Sequence, residues 1–295
     1  LRTDTGGIFV QVLSVMDKAE STAFNKIIEY MSALTYDSAL VDQVVDSLYS
    51  ILQHEYTLDM TSSQFKEMVH KQVDSTYRGF VTDDPLRNSP NLTLADRRAA
   101  QYLENADKLY LGQFIQDPGV KQAVVDYIRK AYIENGAAIG NSPRELQAFV
   151  NALGEQLDLE KWRIRMIIDT TVSKARTYSQ LQGMRQAGAR SFEVVGPDDN
   201  LTCVYCQDML GRTFELAPEL TRLDQVINAG PEGMAIVKPF LKGGLGLKEL
   251  EKTSDADVQS MGFACPPFHP SCRHSLAVVD FYENASEIPY SMEAV

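Results

Sequence analysis

All four cysteines of this chain fall in its last third, in two short knuckles, and no other feature limits the fold as much. Cys203-Val-Tyr-Cys206 is the first knuckle. Cys265-Pro-Pro-Phe-His269-Pro-Ser-Cys272-Arg-His274 is the second, and a glycine-rich excursion over 207–264 lies between them. A Cys-x2-Cys turn aims both sulfurs at one ion, and a second knuckle supplies the remaining ligands of a tetrahedral set. The pattern predicts a structural zinc site closing a small domain. Cys203 and Cys206 form half of the set. His269 and Cys272 complete it, because His-x2-Cys places both side chains on one turn; Cys265 is the substitute fourth ligand, and His274 ranks behind it. Pro266, Pro267 and Pro270 restrict the backbone around His269, so less ordering is left for the metal to impose.

The energetic case for a metal starts from size. Three short strands bury too little apolar surface to offset their own ordering entropy. A structural zinc site contributes on the order of 10 kcal/mol of folding free energy in small domains, enough to decide that balance. Other readings of the same residues are weaker. Four unrelated buried thiols would have no reason to cluster in two knuckles, one with a histidine. A thioredoxin-type pair needs Cys-x2-Cys at a helix start after a strand; Cys203 does follow a strand and turn, so this stays as a lesser reading. A Cys265 or Cys272 nucleophile with His269 as base has no acidic residue placed to orient it and no oxyanion element in view. A catalytic zinc keeps one position open for water, whereas here ligands are in surplus. The expectation is a protein that is not an enzyme.

Composition narrows the partners. A hydrophobic fraction of 44% and a charged fraction of 23% describe a globular chain. A net charge of -12 argues against a general nucleic-acid coat, which needs clustered Lys and Arg. No apolar run approaches the roughly eighteen residues of a membrane span, and the polar-interrupted stretch 8–13 is too short for a signal peptide. A reducing cytoplasm is the default compartment, where clustered cysteines bind metal more often than they pair.

Apolar spacing of three and four predicts helices over 17–34 and 39–54, the second with Leu40, Val44, Val45, Leu48 and Leu52 as its stripe. Thr61-x-x-Gln64 opens a helix over 62–77, and Thr93-x-x-Asp96 another running to about Leu111. A further helix follows Pro118 and stops at Asn135-Gly136. Ser142-Pro143-Arg144-Glu145 opens the next, which ends near Gly154. Asp158 caps a long helix over 159–187 with Ile164, Ile168, Val172, Ala175 and Leu181 on its buried side. Its other side is basic, and Arg163, Lys174 and Arg176 are candidate contacts for DNA or a partner, against a plainer reading as a solvated face. Alternation then replaces helical spacing: short strands are expected over 191–195, just after Gly211, and over 275–279.

These residues resemble a known family. A long Arg-rich helix and a strand lead into Asp199-Asn-Leu-Thr-Cys203-Val-Tyr-Cys206-Gln-Asp-Met-Leu-Gly211-Arg-Thr-Phe214. With Pro266-Pro-Phe-His269-Pro-Ser-Cys272-Arg273 this is similar to the tail of the phage Mu F-like minor head proteins, over about 159–280. The family's Cys-Arg-Cys ending is Cys272-Arg273-His274 here, so His274 or Cys265 shares the fourth-ligand role. The resemblance implies a structural minor head protein in the virion head of a tailed phage or prophage, made in the host bacterial cytoplasm. It further implies association with the portal protein and other head proteins, and a part in head assembly, DNA packaging or ejection, with packaged DNA as a further partner. The expected architecture is mainly α with a small C-terminal α+β zinc-clipped domain. Residues 1–157 would form a helical domain that docks the portal or another partner, and 158–295 the Mu F-like domain. The rival expectation is a metal- or thiol-dependent enzyme, a nuclease or redox protein acting during infection.

Overall fold

The computed structural model describes residues 5–237 and 240–291. Seven long helices come first: α1 (Thr5–Ser32), α2 (Val41–Met60), α3 (Ser63–Asp83), α4 (Leu94–Gly112), α5 (Pro118–Asn141), α6 (Pro143–Glu160) and α7 (Trp162–Gln186). Strand β1 (Ala189–Val195) follows, then the short helix α8 (Val204–Met209), β2 (Thr213–Glu215), α9 (Leu216–Val237) and, after several short turns, β3 (Ser275–Phe281). The fold is mainly helical with one small antiparallel sheet.

Local capping chemistry sets the helix starts. Asp117 accepts from the backbone N–H of Gly119 and Val120 ahead of Pro118, and Ser142 accepts from Glu145 N–H ahead of Pro143. At α4 the capping box is reciprocal: Asp96 N–H donates to Thr93 Oγ1 (3.2 Å), and Thr93 N–H donates to Asp96 Oδ2 (2.9 Å). At α3 the cap falls one residue later than expected, because Ser62 rather than Thr61 accepts from Phe65 N–H. Gly136 and Gly154 do not end their helices; α5 runs to Asn141 and α6 to Glu160. A glycine costs about 1 kcal/mol in a helix interior, less than the buried stripes around it return.

The chain forms two compact units that are not sequential. One comprises 6–69 and 108–165; the other comprises 70–107 and 166–291. Residues 70–107, grouped by the sequence reading with the N-terminal helices, therefore belong with the C-terminal third. In the first unit the buried stripe of α1, with Val12, Met16, Ala23, Ile27 and Met31, joins Leu48, Leu52 and Tyr56 of α2 in the core. Tyr56 donates to Glu20 (2.6 Å), and Lys161 reaches Asp17, Glu20 and Asp158.

In the second unit, Arg87 makes a bidentate pair with Asp96, both bonds 2.8 Å, and also donates to the Ser179 carbonyl. Tyr77 adds a hydrogen bond to the same Asp96. Helix α7 departs from expectation here. Its anticipated stripe is buried, but so are Thr171, Ser173, Lys174, Thr177, Ser179 and Gln182, so the helix has no solvated side over that stretch. The Thr171 hydroxyl is bonded to Asp107, whereas those of Ser173 and Thr177 have no hydrogen-bond partner among the described residues.

The sheet has the order β2-β1-β3, all antiparallel. Phe192 and Val194 turn inward together, as alternation predicted, and Phe192 sits opposite Phe214 with ring centroids 6.0 Å apart. Between the knuckles the structure holds more helix than expected: α9 occupies much of the supposed loop and kinks at Gly230-Pro231, where Gly230 has φ 72°. Arg212 anchors that excursion, donating to Asp208, Asp255 and the carbonyls of Leu250 and Thr253.

Candidate metal centre

Sheet register brings the knuckles together. Val195 pairs with Ser275, so the chain leaving β1 at Gly196 runs beside the chain entering β3 from His274. A Cβ at Gly196 would lie 2.6 Å from Cδ2 of His274, which makes glycine the residue that permits this approach. The first knuckle is helical: Cys203 is the N-cap of α8 and Cys206 lies within its first turn, so both sulfurs share one side.

Five donors converge, in two groups that share Cys206. The ligand atoms of Cys203, Cys206 and His269 lie within 4.8 Å of one another, as do those of Cys206, Cys272 and His274. Cys206 Sγ stands 3.1 Å from His269 Nε2 and 3.9 Å from Cys272 Sγ; Cys272 Sγ is 3.8 Å from His274 Nδ1. Two sulfurs each about 2.3 Å from one tetrahedral zinc would be roughly 3.8 Å apart, so the Cys206–Cys272 spacing fits such an ion. The residues thus lie close enough to bind a metal ion.

Surrounding contacts orient the donors. His269 Nδ1 is 2.6 Å from the Pro270 carbonyl, which can only accept, so that nitrogen carries the proton and Nε2 presents its lone pair toward Cys206. Cys272 is 5% exposed, and backbone N–H groups of Phe268 and His274 donate to its sulfur. Among these sulfurs, hydrogen bonding first from Cys206, then from His274 and the backbone, pulls the Cys272 thiol down to about 4, against the effect of burial. Cys206, 1% exposed, is pushed up, first by its hydrogen bond to Cys272 and then by burial.

Four of the expected ligands, Cys203, Cys206, His269 and Cys272, are brought together. The order of the substitutes is reversed. His274, 2% exposed and with Nε2 unpartnered among the described residues, joins the cluster, whereas Cys265 enters neither group and is instead an electrostatic neighbour of Tyr178 in α7. The residue before a proline is held extended, and Cys265 precedes two of them, which carries it away from the 269–272 turn.

The candidate DNA or partner contacts are each engaged within the fold. Lys174 is 7% exposed and lies in the field of Asp107. Arg163 is bound to Glu160 (2.7 Å) and Asp117 (3.3 Å) and stacks on Trp162. Arg176 is half-buried over the Phe80 ring. The basic side expected of this helix is therefore taken up within the fold.

Two features escaped the sequence reading. One is the Arg273–Asp199 pair, which ties the second knuckle to the loop before the first. The other is Asp107, fully buried on α4 and accepting from the Thr171 hydroxyl, whose carboxyl burial pushes up to about 7. No family model, curated protein or solved structure matches the chain. Among the described residues no helix is long and apolar enough to cross a membrane.

Proposed function

We propose that this chain is a structural minor head protein of a tailed phage or prophage, associated with the portal, in which zinc clips the C-terminal sheet. The observation that carries the reading is the convergence of Cys203, Cys206, His269 and Cys272 from two knuckles, with Cys206 and His269 63 residues apart in sequence. Soft sulfur donors with one imidazole suit zinc, and His274 beside them leaves donors in excess of four places. When bound, zinc would supply a fixed tetrahedral link, replacing apolar core that a three-stranded sheet lacks. The role in the head rests on the resemblance of 199–214 and 266–273 to the Mu F-like tail. Asp199, Cys203, Cys206, His269, Cys272 and Arg273, which carry that resemblance, lie at one site, and this supports it.

Metal analysis of the purified chain with a thiol titration tests the clip: one zinc per chain and protected sulfhydryls are expected. Co-purification with a portal protein tests the role, and no association with any head component would count against it. One observation favours a metal- or thiol-dependent enzyme, namely that Cys272 borders a cleft of about 380 Å3. An activity lost on replacing His269 or Cys203, with the fold intact by circular dichroism, would favour that reading instead.

A further inference from the structure

That cleft, between α7 and the turn carrying the second knuckle, has chemistry of its own. Asp169, Val172, Ser173 and Arg176 form one wall at the spacing of a single helical face, and Pro197 with Ser271, Cys272 and Arg273 line the rest. Ser173 is 3% exposed, and its hydroxyl has no hydrogen-bond partner among the described residues. The Arg176 guanidinium stands 5.4 Å from the centre of the Phe80 ring, and its hydrogen bond to the Arg273 carbonyl is long, at 3.5 Å. No carboxylate pairs with Arg176 among the described residues; the charge in its field is the Cys272 sulfur, which lines the same cleft. A half-buried cation with one long hydrogen bond and a buried hydroxyl with no partner among the described residues border one cleft. Each costs free energy until something fills that space.

We propose that this cleft binds a small phosphate-type oxyanion, with Arg176 supplying the charge and Ser173 a hydroxyl donor. Asp169 on the same wall accepts from Ser271 (3.4 Å). It would also accept from a protonated phosphate oxygen and repel a polyanion, so hydrogen phosphate or a monoester fits best. Arg273 contributes little, because its guanidinium is taken by Asp199. A second cavity, of about 370 Å3, also borders Arg176, but Asp83 and Asp84 line it and disfavour an anion there. Neither Arg176 nor Ser173 is a metal ligand, although Cys272 lines the cleft, so phosphate binding is read separately from metal content.

The test titrates the full chain at low ionic strength with inorganic phosphate and, in parallel, with a nucleoside monophosphate, followed by calorimetry. Saturable one-site binding is expected, weakened roughly tenfold or more in Arg176→Gln and a few-fold in Ser173→Ala. Arg163→Gln, in the other compact unit, should bind like the parent. Tighter binding of the monophosphate assigns an esterified ligand; tighter or equal binding of inorganic phosphate assigns the free anion. No saturable binding to the parent, or equal binding by parent, Arg176→Gln and Ser173→Ala, overturns the proposal. If Arg176→Gln loses its fold by circular dichroism, Ser173→Ala alone decides.

Discussion

Arg273 grips both carboxylate oxygens of Asp199, with Nη1–Oδ2 at 2.8 Å and Nη2–Oδ1 at 2.5 Å, across 74 residues of chain. Asp199 also accepts from Leu201 N–H, and Thr202 closes back onto the Pro197 carbonyl, so the loop before the first knuckle is pinned to the second. The pair is exposed and its worth to global stability is small. Its effect is positional. Hydrogen bonding by Arg273 holds the Asp199 carboxyl well below the usual range, so the contribution is complete above the ordinary carboxylate value near 4 and fades as pH falls below it. Asp199→Asn should speed metal transfer to a chelator at neutral pH by a few-fold, measured with a colorimetric zinc indicator. An unchanged rate would show that the loop needs no such tether.

The clip itself makes a sharper prediction. Cys206 belongs to both donor groups, so Cys206→Ser should release the metal and open 189–281 to protease. Residues 6–69 and 108–165, with their own core, should stay protected. Limited proteolysis with mass mapping reads this out, and equal resistance of variant and parent would remove the structural role from the site.

His269 distinguishes ligation from packing. His269→Ala should lower bound zinc, whereas His269→Cys should restore it, since thiolate and imidazole occupy the same kind of place around zinc. Elemental analysis of the two variants side by side is sufficient. Loss in both, or in neither, speaks against Nε2 as a ligand.

Asp107 gives the second unit a pH dependence opposite to that of Asp199. Its folded pKa is raised to about 7 by burial, against an ordinary value near 3.8, so the native state holds its proton more tightly. Stability from this residue is full below about 4, declines as pH rises, and is lost above about 7, a span of on the order of 4 kcal/mol at most. Asp107→Asn, which stays neutral throughout, should raise the melting temperature at pH 8 relative to the parent and show no such gain at pH 4. A gain of equal size at both values would assign the effect to something other than ionisation.

The Arg87–Asp96 pair is buried on both sides, with Thr93 and Tyr77 completing the carboxylate's bonds. Removing one partner strands the other charge away from water. Arg87→Met should cost about 3–5 kcal/mol in a denaturant melt. A loss under about 1 kcal/mol would mean that water reaches Asp96 in the native state.

The knuckles, the inward set of β1 and most helix starts were legible in the sequence because each depends on neighbours within a few residues. Thr93 with Asp96 and Ser142 with Glu145 are cases in which the chemistry is complete inside one turn. What could not be read depends on distant partners. The burial of α7 on its polar side follows from Asp107 and Arg87, which lie far away in sequence. Likewise, the preference for His274 over Cys265 comes from the Val195–Ser275 register, which sets His274 against Gly196. Spacing alone favoured the thiol. The helix α9 was hidden by Gly230 and Pro231, which punctuate a kink rather than a loop.

The C-terminal unit draws on 70–107 as well as 166–291, with 58 intervening residues assigned to the other unit. During synthesis Arg87 and Asp96 are therefore made long before Ser179, and α4 leaves the ribosome with its Asp107 side still waiting for Thr171. The nascent chain must carry that unfinished surface until α7 emerges. Truncation between residues 107 and 166 would leave the same surface bare, and a shortened product should clump or be degraded rather than persist as half a protein.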